Sequence, residues 1–130
     1  MKLRFYLSVI ILAFLFMFTS SAYCEKEVDS IEGTWIGKGY QDNGSTWTIA
    51  LVAKKGVFNI SYPSLNCGGF WSIEKADSNR TWFIETITYG KGNCISNGRI
   101  VITLINEKYI TYTWFYPNGK LGAYPTLVKK

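Results

Sequence analysis

No histidine occurs anywhere in the 130 residues. Its absence excludes Ser-His-Asp and Cys-His nucleophilic arrangements, a histidine acid/base pair and histidine-ligated metal centres. Acids are also scarce, nine against 14 basic residues, and the expected folded part carries only Glu32, Asp42, Glu74, Asp77, Glu85 and Glu107. A paired-carboxylate hydrolase needs two acids facing one cleft, whereas most of these fall in turns or near strand ends. Glu85 alone lies well inside an expected strand, where an outward-facing carboxylate is the ordinary arrangement. An enzyme working with carboxylates alone would need Glu85 to face a cleft with a second acid beside it. The glycines of Gly37-Lys38-Gly39 and Gly90-Lys91-Gly92 lack the spacing and the following helix of a phosphate-binding loop. These absences predict a non-enzymatic protein with no cofactor and no metal.

Long apolar runs are equally rare. The one present, 14 residues from Phe5 to Phe18, follows Lys2 and Arg4 and precedes Thr19, Ser20, Ser21 and Ala22. That is the layout of a secretory signal peptide, and the run falls short of the roughly 20 residues that span a bilayer. The reading is a signal peptide over 1–24 and one exported domain over 25–130, periplasmic or extracellular, with no stable membrane insertion. Cleavage after Ala22 or after Cys24 both satisfy the small-residue rule, and the second leaves two cysteines, Cys67 and Cys94. Without Lys2 and Arg4 the balance is 12 basic to 9 acidic, a net +3 in place of +5. The basic residues are scattered, so nucleic acid is not an expected partner.

From Ile31 onward, short runs of Trp, Tyr, Ile, Val and Thr alternate with clusters of Gly, Asn, Asp and Lys, the pattern of strands and turns. Eight strands are expected at 31–40, 46–53, 57–62, 68–75, 81–89, 98–105, 109–116 and 121–128. Trp47, Ile49 and Leu51 share one face, as do Phe58, Ile60 and Tyr62, and Ile100, Ile102 and Leu104, so one face of the sheet is buried. Short connections make neighbours antiparallel. The predicted fold is all-β: an eight-stranded antiparallel up-and-down barrel of calycin-like build, or a two-layer sandwich, since an open meander would expose two edges.

In such an arrangement alternate loops share an end. Cys67 precedes the fourth strand and Cys94 follows the fifth, so both lie at the open end of one hairpin, where a Cys67–Cys94 disulfide is predicted. Each strand leading into that end finishes on a tyrosine: Tyr40, Tyr62, Tyr89 and Tyr116. Tyrosine offers apolar area with a polar tip at small entropic cost. The candidate partner-binding face therefore comprises Tyr40, Asn43, Tyr62, Asn66, Tyr89, Lys91, Asn93, Tyr116 and Asn118. Parity adds a restriction, because Tyr62 shares a face with Phe58 and Ile60 while Tyr40 shares one with Lys38. The five tryptophans, Trp35, Trp47, Trp71, Trp82 and Trp114, are expected mainly in the core, with a ligand cavity as the other use.

The pattern Tyr62-Pro63-Ser64-Leu65-x-Cys67-Gly68-Gly69, followed by Glu85-x-Ile87-x-x-Gly90-x-x-x-Cys94, Gly98-x-Ile100 and Tyr112-x-Trp114, resembles a small exported bacterial β-domain that also occurs appended to larger proteins. Gly33-Thr34-Trp35 is similar to the Gly-x-Trp opening of lipocalin-like and avidin-like barrels. By analogy of build with stand-alone exported β-barrels, the expected function is an inhibitor or immunity protein that blocks a protein toxin or hydrolase sterically. The alternative is a calycin-like carrier of a small hydrophobic ligand, which requires an internal cavity of roughly 300 Å³ or more.

Overall fold

The computed structural model describes residues 30–130; the expected signal peptide over 1–24, with its expected cleavage point and Cys24, lies outside the described residues. Nine strands follow in chain order: β1 (Gly33–Tyr40), β2 (Thr46–Lys54), β3 (Val57–Tyr62), β4 (Cys67–Ala76), β5 (Arg80–Tyr89), β6 (Arg99–Leu104), β7 (Tyr109–Phe115), β8 (Leu121–Ala123) and β9 (Thr126–Lys129). All pairings are antiparallel. β1 through β7 form a meander, β7 pairs with β9, and β9 returns to β1, so eight strands close a barrel and β8 is an extra strand beside β7. Closure satisfies the backbone groups that an open sheet would leave at two edges. The fold is the up-and-down barrel, and the sandwich does not form.

The last expected strand, 121–128, is interrupted. Pro125 has no N–H to donate to a ladder, and its carbonyl instead accepts from the Tyr112 amide at 2.9 Å. The segment thus splits into β8, opposite Trp114 and Phe115, and β9, which runs between β7 and β1. Pro63 opens another departure from strand: Pro63–Leu65 make a single 3-10 turn capped by Asn66 in the left-handed conformation (φ 53°).

Alternation fills the interior. Trp35, Ile49, Leu51, Phe58, Ile60, Phe83, Ile100, Ile102, Ile110 and Leu127 are buried together, each worth about 1.5–3 kcal/mol of apolar burial when fully enclosed. Phe83 packs on Phe58 and on Trp71 with ring centroids 4.8 and 5.3 Å apart. At the end where β1 begins, Ile31 tucks into this core and its carbonyl accepts the Trp35 indole N–H at 2.7 Å. The opposite end, where β1, β3, β5 and β7 finish, is built differently.

Candidate functional site

Four connections leave the strands there, over 41–45, 63–66, 90–98 and 116–120, and the first three line a cavity. Cys67, the first residue of β4 and fully buried, is disulfide-bonded to Cys94 across a Cα–Cα distance of 6.2 Å. The loop carrying Cys94 reaches it by turning at Gly90 (φ +62°), where an added Cβ would run into the backbone of Asn66 and Cys67. Asn93 Nδ2 donates to the Leu65 carbonyl at 2.9 Å, tying this loop to the 3-10 turn. Its far end is fastened to β5 by Glu85, whose amide donates to Gly98 O and whose carbonyl accepts from Asn97, at 2.9 and 2.8 Å. The disulfide and these bonds hold the loop over the end of the barrel.

Beneath the loops lies a cavity of about 280 Å³, just under the roughly 300 Å³ at which ordinary ligand pockets begin. Gln41, Ser45 and Thr46 rim one side and Asn93, Cys94 and Ile95 the other. Trp47, Leu65 and Trp114 line its walls, and Tyr62, Glu85 and Tyr112 complete the lining from within the barrel.

Glu85 is the side chain that sequence reasoning placed outside. It is 2% exposed and points inward with Phe83 and Ile87, its neighbours on the same face of β5. Three aromatic side chains donate to it, and a fourth bonds to one of the three. Oε2 accepts from the Tyr62 hydroxyl and from Trp71 Nε1 (2.9 Å), while Oε1 accepts from Trp114 Nε1 at 3.2 Å. Tyr112 lies 2.9 Å from the Tyr62 oxygen. With the single Tyr62 proton committed to an ionised Glu85, Tyr112 is the donor of that bond. Trp114 is fixed by a close fit: Cβ atoms added at Gly98 or Gly122 would overlap its indole, and Tyr116 packs edge-on with a centroid separation of 4.6 Å.

Burial pushes the Glu85 carboxyl above its ordinary value of 4.5, opposed by the hydrogen bonds from Tyr62, Trp71 and Trp114. Burial likewise drives Tyr62 and Tyr112 well above 10.0, reinforced by the neighbouring charge of Glu85. Both phenols therefore stay protonated as donors throughout the neutral range. Among the described residues no second acid lines the cavity beside Glu85.

The expected face divides accordingly. Tyr40 and Tyr89 project outward, 56% and 51% exposed, whereas Tyr62 is 4% exposed and belongs to the cavity, not to a surface patch. The correction follows from its parity with Phe58 and Ile60. Tyr116 is half-buried against Trp114, with Gln41 Nε2 at 3.5 Å from its hydroxyl. Asn43 and Asn118 accept the Ser45 and Lys120 amides, and Asn66 caps the 3-10 turn, so all three shape turns. Lys91 is exposed, and Asn93 holds Leu65 while lining the cavity. Of the tryptophans, Trp35 and Trp71 are core, Trp47 and Trp114 line the cavity, and Trp82 sits outside between Lys75 and Arg80, 4.6 and 5.1 Å from its ring.

Among the described residues, no group of three or more acids and cysteines is placed to hold a metal, and no helix is long and apolar enough to cross a membrane. No protein-family model matches the sequence, and no curated protein does. The chain is similar to a solved structure of a redesigned β-barrel, with a TM-score of 0.53 at 14% identity over 80% of this chain and 95% of that one, a likeness of fold alone.

Proposed function

We propose that the protein is an exported, non-enzymatic binding protein that holds a small molecule in the disulfide-closed end of its barrel. The observation that carries this reading is the 280 Å³ cavity with a buried carboxyl inside it and one loop stapled over it. A filled barrel would need no acid inside. Burying Glu85 costs free energy, and the aromatic donors around it recover only part. Export is supported by the disulfide, which persists in oxidising compartments, and by the leader pattern over 1–24.

A thermal-shift screen of single-ring compounds tests the proposal. A ligand at a hundred times its Kd should stabilise the protein by about 2.7 kcal/mol. Ser45→Trp, at the exposed rim, should abolish that shift by blocking the mouth. Stabilisation that survives the rim block would place binding elsewhere and overturn the reading.

The exposed rim supports a second reading, a protein inhibitor or immunity protein that docks through Tyr40, Tyr89 and Ile95, the last 48% exposed. Buried interface aromatics commonly contribute about 2 kcal/mol or more. On this reading Tyr40→Ala with Tyr89→Ala should release a partner captured from the exported fraction. Undiminished capture by the double variant would remove it.

A further inference from the structure

We infer that the cavity takes a small organic cation: a single-ring amine whose ammonium group meets the Glu85 carboxylate and whose ring lies against the indoles of Trp47 and Trp114. The inference rests on the small-molecule reading above and names its ligand class.

Charge is the first ground. Among the described residues Glu85 is the only charged residue lining the cavity, and its hydrogen-bond partners, Tyr62, Trp71 and Trp114, are all neutral. No described lysine or arginine lines the cavity beside it. A buried carboxylate without a counter-charge is costly, and a bound cation removes that cost while a neutral or anionic ligand does not. Acceptor capacity is the second ground. Oε2 already takes two hydrogen bonds, but Oε1 takes one, at 3.2 Å. Its donor, Trp114, lines the cavity, as does Tyr62, one of the two donors to Oε2. Oε1 is thus the oxygen with acceptor capacity left for a ligand.

The walls complete the match. Trp47, Tyr62, Tyr112 and Trp114 line the same cavity as the carboxyl, and the faces of such rings attract cations electrostatically. A carboxylate ligand would instead meet the charge of Glu85 itself. At about 280 Å³ the space suits one ring and a short amine arm. The groups that titrate around Glu85 are Tyr62 on β3 and Tyr112 on β7, both held protonated by burial, so Glu85 is the one of the three that ionises first as pH rises.

Calorimetric titration of the disulfide-intact protein with phenethylamine, phenethyl alcohol and phenylacetate tests this. Phenethylamine should bind about tenfold or more tighter than the alcohol, equivalent to about 1.4 kcal/mol, and phenylacetate should bind weakest. Glu85→Gln, checked for folding by circular dichroism, should erase the amine's advantage. In the wild type, amine affinity should rise with pH as Glu85 ionises through its raised value while the amine stays charged, and alcohol affinity should stay level. That pH profile decides the matter even if the variant does not fold. An alcohol that binds as well as the amine, or a flat amine profile, would overturn the inference and leave the small-molecule reading standing. Silence from all three probes would also overturn it, and the rim-block screen would still judge the parent reading separately.

Discussion

Replacing Cys67 and Cys94 together by alanine should lower the stability by about 3.5 kcal/mol in the chain-entropy model. The bridge joins residues 27 apart, and a loop of that size confines the unfolded chain substantially. Cys67 is fully buried while Cys94 lies in a surface loop, so the native state also loses its fastening over the cavity. The remaining ties are the Asn93 bond to Leu65 and the backbone bonds of Glu85. Urea denaturation of the double variant should therefore show a lower midpoint, and native-state hydrogen exchange should show faster exchange over 90–97 than in the wild type. A midpoint within about 1 kcal/mol of wild type would mean that the bridge constrains little beyond what the barrel already does.

Glu85→Ala should cost about 2–4 kcal/mol, because it strands the Tyr62 hydroxyl and the indole N–H groups of Trp71 and Trp114 inside the barrel, and unsatisfied buried donors cost about 1–3 kcal/mol each. Relief of the buried charge offsets part of that loss. Glu85→Gln separates the two contributions through pH. Because burial raises the Glu85 pKa above 4.5 in the folded state, the folded protein holds this proton more tightly than the unfolded chain. The stability it contributes is complete below the unfolded value and is lost as pH rises through the raised folded value. The wild type should accordingly lose stability relative to Glu85→Gln over that window. A wild-type advantage that grows with pH would show that the donors outweigh burial and that the carboxyl is stabilised as an anion.

Much of the barrel was legible in the sequence because its strands obey a period of two and its turns are short. The cysteine pairing followed from strand order alone. The break at Tyr124-Pro125 was visible as a proline but was absorbed into one long strand, because a strand that changes partners leaves no mark on the alternation. Glu85 was misjudged for a physical reason. On β5 both faces are apolar, Thr81, Phe83, Glu85 and Ile87 on one and Trp82, Ile84 and Thr86 on the other, so alternation did not distinguish inside from outside. A signal was nevertheless present. Tyr62, Trp71, Tyr112 and Trp114 share strand faces with core residues, each carries a donor that wants a partner when buried, and paired strands leave few backbone acceptors inside a barrel. An inward acid answers that demand. The turn-shaping work of the asparagines of the expected face was not read from the sequence, because the same side chain that suits an interface also closes tight turns.

The central claim is that the stapled end encloses a ligand cavity with Glu85 inside it. The most direct measurement is a two-dimensional nitrogen–proton correlation spectrum of the five indole N–H groups during titration with phenethylamine. The expected result is movement of Trp114, which binds Glu85 and lines the cavity, and of Trp47 on its wall, while Trp35, bonded to Ile31 at the opposite end, and Trp82 on the outer face stay fixed. Indole signals that all remain still, or movement confined to Trp82, would contradict it.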